Sequence, residues 1–392
     1  MPRFSLVVPT RDRPDLLEFC LESLASQTFA DFEVIVSDNA VNAPARDVFD
    51  RWARDGWRYL RPESPLPMHE NFEAGCAHAE GELVAVVIDK TALHPSALQL
   101  ADAALSAVPD AEIVTWRNEG FTPLDEQRDL GLGTFAPAGG ATAPTAYDPA
   151  AELRVRFENA ARRGADHVHY VRGKIVFGAF SSTLLERIEA QTGRVFHPLA
   201  PDYTSMVPSS VLARRAVDVG RPLLVSYNSM RSNGRNQALD PGYARRFIEK
   251  VDPAIVDALP LPGVYASTHN VVAYDLVTSA ARCPPGSTPE LHLPNLLRRV
   301  REDLDAVGWT DAAEREDQYT RLEAAEAEHG VSSEPAIREP RDIRDVVTTA
   351  LARMPAVERL ASRAARRPSS VFSSPVEAAR AADRHYSQAA ET

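Results

Sequence analysis

Three apolar runs end in polar residues, and this pattern constrains the fold more than any other feature. Phe4-Ser5-Leu6-Val7-Val8 stops at Pro9-Thr10-Arg11-Asp12-Arg13-Pro14 and then enters a helix. Phe32-Glu33-Val34-Ile35-Val36-Ser37 ends on Asp38-Asn39, and Leu83-Val84-Ala85-Val86-Val87-Ile88 ends on Asp89-Lys90-Thr91. Short apolar runs of this kind read as buried strands. In an open α/β sheet the ligand crevice lies at the carboxyl ends of the strands, so all three runs deliver polar side chains to one place.

Helical patterns alternate with these strands. Pro14 to Gln27 opens with Pro14-Asp15, suited to a first helical turn, and repeats Leu16, Leu17, Cys20, Leu21 and Leu24 on one face. Further helices are expected at 45–54, 71–79 and 95–107, and strands at 58–61 and 111–116. Repeated β-α units predict a mostly parallel sheet covered on both faces. Residues 118–150, with Phe135-Ala136-Pro137-Ala138-Gly139-Gly140, read as a long surface loop or flap. An amphipathic helix begins near Ala151. Lys174-Ile175-Val176-Phe177 reads as a strand, Ser182 to Thr192 as a helix, and Ser209 to Val219 as another helical run. Residues 241–282 and 289–330 read as helical. Residues 341–367 form an arginine-rich helical pattern broken at Pro355, and Ser369 to Thr392 read as weakly ordered.

Composition narrows the function. The 392 residues carry a net charge of -12, which repels nucleic acid backbones. Cys20, Cys76 and Cys283 lack the paired spacing of a zinc site or disulfide framework, which fits a reducing, cytoplasmic setting. No basic-then-apolar leader opens the chain, and no run approaches the roughly 20 apolar residues that span a bilayer. Membrane contact would be peripheral, through the basic 341–367 helix, which can instead pack on its own acidic domain. The helices after residue 289 offer a surface for a homodimer or a lid on the same subunit.

The strand ends suggest binding chemistry. Thr10 and Asp12 lie in the first turn, and Asp38 can accept hydrogen bonds from a ligand, or simply close a turn. Arg11 and Arg13 can give bidentate bonds to phosphate. Asp202 follows Pro201 before a helical run, where it can serve as a general base or as a helix cap.

Pro9-Thr10-Arg11-Asp12-Arg13-Pro14, then Gln27-Thr28, then Asp38-Asn39, resembles the opening of family-2 glycosyltransferases of the GT-A fold. Met68-His69-Glu70-Asn71-Phe72 is similar to the family's M-x-x-N-W/F segment, and Ala92-Leu93-His94-Pro95 stands where the family often has G-L-L-P. The resemblance covers residues 4–116. It implies an α/β fold, a GT-A type three-layer αβα domain with a mostly parallel central sheet and a C-terminal helical extension. Residues 1–117 would bind the nucleotide-sugar, 118–282 would form the flap and acceptor half, 283–335 the helical extension, and 336–392 the basic helix and tail. The resemblance implies donor contacts from Pro9, Thr10, Asp12, Arg13, Asp38, Asn39, Met68, Asn71, Asp89 and Lys90. Arg13 matches the motif, whereas Arg11 replaces the family's usual aromatic.

The family's acidic strand end ligates a divalent metal, manganese or magnesium, on the donor diphosphate. Here Lys90 and Thr91 follow Asp89 where further acids usually lie. The readings are a weakened metal site at Asp89, a metal-independent enzyme using the Lys90 ammonium, and an inactive homologue, in that order. Ala200-Pro201-Asp202-Tyr203-Thr204-Ser205 resembles the family's P-D-x-Y/T-S stretch, which implies Asp202 as the base. The loop 227–236, with Arg231 and Asn233, resembles a loop that touches the diphosphate or acceptor. The implied reaction is inverting transfer of a sugar from a nucleoside-diphosphate sugar to a hydroxyl acceptor. The alternative is a non-catalytic sugar-nucleotide binder or scaffold. A nucleotidyltransferase is disfavoured, because the first turn lacks that class's glycine-rich loop.

Overall fold

The computed structural model describes residues 1–138, 140–159, 167–228, 231, 232, 234, 236, 240–331 and 370–390. The basic 341–367 pattern and Asn233 lie outside the described residues. The strands are β1 Phe4–Thr10, β2 Phe32–Asp38, β3 Arg58–Leu60, β4 Leu83–Val86, β5 Thr91–Leu93, β6 Ile113–Asp125, β7 Asp129–Phe135, β8 Thr145–Tyr147, β9 Gly178–Ser181, β10 Ala216–Tyr227 and β11 Ser370–Phe372. The helices around them begin with α1 Pro14–Ala25, α2 Arg46–Trp52, α3 Met68–Cys76 and α4 Ala97–Ala107. They continue with α5 Pro149–Phe157, α6 His167–Val171, α7 Ser182–Thr192 and α8 Pro201–Leu212.

β3, β2, β1 and β4 lie side by side and parallel. β9 runs the opposite way between β4 and β6, and β6 is parallel to β10. Gly178 permits this insertion, since a methyl carbon there would lie 2.1 Å from the Val114 carbonyl oxygen.

Alternation along the strands explains the layering. Leu6, Val8, Val34, Val36 and Ala85 share one core with Leu17 and Leu21 of α1, Phe49 of α2 and Leu98 of α4. Val7, Ile35, Val84 and Val86 face the other core, with Phe72 of α3 and Leu184 and Ile188 of α7. Successive residues of a strand point to opposite faces, so every apolar position is buried. The helices 241–251, 268–280, 293–306 and 312–328 share a further core through Ile248, Val271, Leu297 and Leu322.

Four local expectations are corrected. The segment 118–150 is largely sheet: β6 runs on to Asp125 and pairs antiparallel with β7. Its composition misled because Gly133 is needed for close approach; a side chain there would meet the Phe121 ring at 2.3 Å. Ile175–Phe177 is a single tight helical turn leading into β9, not a strand. The run 209–219 divides into the end of α8 and the start of β10, where Val217 pairs with Val114 and Ala146. The weakly ordered tail is instead β11 and a helix, Pro375–Ala390, with Val376, Ala379, Ala382 and Tyr386 buried. That helix is alanine-rich, and its order comes from docking on Leu16, Ala92, Phe121 and Val225.

Candidate active site

The carboxyl ends of β1 and β4 meet at Asp89. Its carboxylate is fully buried, and Oδ2 accepts a hydrogen bond from Thr10 Oγ1 at 2.8 Å. The Arg13 guanidinium, at the entry to α1, approaches the same oxygen at 3.0 Å and stays a quarter exposed. Burial pushes the Asp89 carboxyl above its ordinary value, against the pull of Arg13, Thr10, Lys90 and Arg231. Lys90 Nζ donates to Ser232 Oγ at 2.8 Å, and Arg231 pairs with Asp15 at 2.8 Å. The predicted residues Thr10, Arg13, Asp89, Lys90 and Arg231 are thus brought together, with cations on several sides of a single carboxylate.

Other predicted donor residues have side chains committed to the protein. Asp38 accepts bonds from Ala40 N at 3.0 Å, Ala45 N at 2.7 Å and Tyr59 Oη at 2.5 Å. Those bonds fix the loop between β2 and α2. Asp12, at a left-handed φ of 53°, accepts from the backbone N–H groups of Val41, Asn42 and Ala43. Asn39 pairs with both backbone groups of Leu66, and Asn71 with Ser37. These four shape the crevice wall, and their carboxylates and amides are largely used up in doing so. Pro9 is buried in β1, and Met68 packs beside the core under α3.

The donor set does not fit a divalent cation. Asp89 Oδ1 is buried without a hydrogen-bond partner, which alone would suit a metal. Against it, Oδ2 is held by Thr10 and Arg13, and the neighbouring charges are positive. Among the described residues no group of three or more His, Cys, Asp or Glu is placed to hold a metal ion.

A second cluster lies along the same edge of the sheet. β9 pairs Ser181 with Leu83 and Phe180 with Val84, so its beginning faces the carboxyl end of β4. Lys174 lies just before β9, ahead of the helical turn Ile175–Phe177. Its ammonium stands 3.4 Å from Asp202 Oδ2, in the first turn of α8. Asp202 is not the cap of that helix: Ala200 holds the N-cap position and Pro201 opens the first turn. The Asp202 side chain is a quarter exposed.

Sequence reading missed three groups here. Lys174 is fully buried and its proton affinity is lowered by that burial. Asp275 accepts from Leu199 N at 2.9 Å and Ala200 N at 3.0 Å, fixing the approach to α8. Burial, with Asp202 nearby, pushes Asp275 up to about 7. Glu152 holds His169 Nδ1 at 3.0 Å, and Arg172 bridges Glu152 and Asp218. None of these lies in a motif; each partner is remote in sequence. His197 is buried, and burial together with Arg282, Arg194 and His69 lowers it to about 4, so its ring is neutral at pH 7. His269 pairs with Asp303 at 2.9 Å.

In an α/β sheet the carboxyl ends of the strands, where these polar residues stand, border the ligand crevice. Residues 5–121 match the family described as Glycosyl transferase family 2. Over 101 residues the chain is 33% identical to the GalNAc(5)-diNAcBac-PP-undecaprenol beta-1,3-glucosyltransferase of Campylobacter jejuni subsp. jejuni serotype O:2 (strain ATCC 700819 / NCTC 11168). That match covers 25% of this chain and 33% of the relative, so the chain spans about a third of the length of that curated protein. Among solved structures, S. aureus TarS 1–349 is similar with a TM-score of 0.44 and 14% identity, covering 83% of this chain and 92% of that one. The mannosyltransferase PcManGT from Pyrobaculum calidifontis, in complex with GDP-Man and Mn2+, gives a TM-score of 0.41 and 17% identity, covering 98% of this chain and 87% of that one. No helix among the described residues is long and apolar enough to cross a membrane.

Proposed function

We propose that this chain is an inverting glycosyltransferase that moves a sugar from a nucleoside-diphosphate sugar to an acceptor hydroxyl. The observation that carries the reading is topological. β9 runs antiparallel to β4, so the segment before it, with Lys174 and the neighbouring Asp202, comes from the side of the sheet toward which β4 leads to Asp89. In this reading a donor site and a proton acceptor border one crevice. The family match over residues 5–121 and the glucosyltransferase named among its relatives support sugar transfer.

In this reading Arg13, Lys90 and Arg231 neutralise the donor diphosphate. Guanidinium groups give phosphate paired, directional donors, and a nearby ammonium adds charge. Asp89 orients Arg13 rather than holding a metal. The acceptor oxygen attacks the anomeric carbon as the bond from that carbon to the phosphate oxygen breaks. The hydroxyl proton passes to Asp202, and the nucleoside diphosphate leaves. One displacement of this kind inverts the anomeric configuration.

Asp202→Asn tests the reading. It removes the base and keeps the side-chain shape, so the turnover number should fall about 10²–10⁴-fold while donor affinity holds. A variant that transfers sugar at the rate of the unaltered protein would remove Asp202 from the mechanism and favour a non-catalytic sugar-nucleotide binder.

A further inference from the structure

Lys174 is an unusual residue to find sealed in a fold. Its side chain is among the largest that are fully buried, and its ammonium has no hydrogen-bond partner. A buried, unpaired ammonium is strongly unfavourable, so such a group persists where a carboxylate or aromatic faces balance it. Both are present. Nζ sits 3.5 Å from the centre of the Tyr203 ring, 4.0 Å from that of Tyr170 and 3.4 Å from Asp202 Oδ2. Ring faces attract cations through their quadrupole, and they do so without taking hydrogen bonds from the carboxylate.

The cage is held from both ends. Lys174 N donates to Val171 O at 3.2 Å, and Phe177 N donates to Lys174 O at 3.0 Å. Tyr203 N donates to Ala200 O at 2.9 Å in the first turn of α8, and Asp275 holds the segment just before it. The ammonium can therefore do little but face Asp202, whose own side chain reaches solvent.

We propose that Lys174 is a positioning residue for Asp202. The caged ammonium holds Oδ2 by charge, fixes the carboxylate at the mouth of the crevice, and leaves the other oxygen to take the acceptor proton. The proposal rests on the reading of Asp202 as the base. The charged and titratable groups around the pair are Arg156 from α5, Tyr170 from α6, Tyr203 on α8, and Asp275 from the helix 268–280 with Arg282 beyond it. Burial and Arg156 lower the proton affinity of the ammonium, while Tyr170 and Asp202 act to raise it.

The full chain, labelled with ¹³C at aspartate side-chain carboxyls, allows the Asp202 titration to be followed by NMR, with Asp202→Asn giving the assignment. Lys174→Met should change that titration, as expected when a neighbouring cation is lost. Lys174→Arg should keep it near that of the unaltered protein. If Lys174→Met does not fold, Lys174→Gln is read the same way. An unchanged midpoint would overturn the proposal. A role in packing alone predicts that outcome.

A second arm separates this from the functional reading. Release of UDP from UDP-glucose, with water as acceptor, is measured for the same variants. Loss of turnover in Asp202→Asn, and an acid limb of the pH profile shifted in Lys174→Met, support both statements. Turnover untouched by Asp202→Asn, with the midpoint still shifted, would leave Lys174 governing Asp202 but overturn its service to catalysis.

Discussion

At the residue scale, the site is governed by how each carboxylate is spent. Asp89 is held by Thr10 and Arg13, Asp202 faces Lys174, and Asp275 ties down Leu199 and Ala200. Arg13→Ala should weaken nucleoside-diphosphate binding about 10–100-fold, the loss expected for charge-assisted bonds to phosphate, measured by calorimetry. Asp275 gives a pH prediction. Its folded value is about 7, above the ordinary 3.8, because burial disfavours the charged form. A carboxyl raised on folding contributes stability that is fully present below its ordinary value and is lost as pH rises through the folded value. Between about pH 4 and 7 the unaltered protein should therefore lose thermal stability relative to Asp275→Asn. Melting curves across that range check it, and parallel curves would contradict the assignment. The same residues show what sequence can give. Thr10, Asp38 and Asp89 were legible because apolar runs mark strand ends. The commitment of Asp38 to Ala45 and Tyr59, or of Asn39 to Leu66, was not, because partners across a fold leave no local signal.

At the element scale, β9 and the C-terminal helix do most to build the molecule. β9 is short and reversed, and Gly178 lets it lie against Val114. Ile175-Val176-Phe177 ahead of it has strand composition but forms a helical turn after Lys174. The helix 375–390 was overlooked for the opposite reason. Its alanines say little by themselves, and its fixed position comes from Tyr386. That side chain stacks beside the His94 ring, lies under Arg221, and donates to Glu119 Oε1 at 2.6 Å. Burial acts to raise Glu119, but His94, Tyr386 and Ala138 N together leave it lowered, so its carboxylate needs these donors. Tyr386→Phe removes one of them and should cost about 1–3 kcal/mol of unfolding free energy. Chemical denaturation is the measurement, and a cost near zero would mean that the helix docks through its apolar face alone.

At the scale of the whole molecule, two α-helical layers enclose the sheet, a helical extension joins it through its own core, and the polar residues gather along one edge. Alternation of strand and helix made the layers legible. The extension's internal packing was not, because helical periodicity shows an apolar face without naming what covers it. The central proposal concerns those polar residues: that they bind a nucleoside diphosphate through Arg13, Lys90 and Arg231, without a metal. The most direct test is calorimetric titration of the full chain with UDP, GDP and dTDP, in EDTA and again with manganese. The account predicts that one of the three binds, with the same affinity in both buffers. Binding that appears only with manganese would contradict the metal-independent site, and no binding to any of them would contradict the donor site itself.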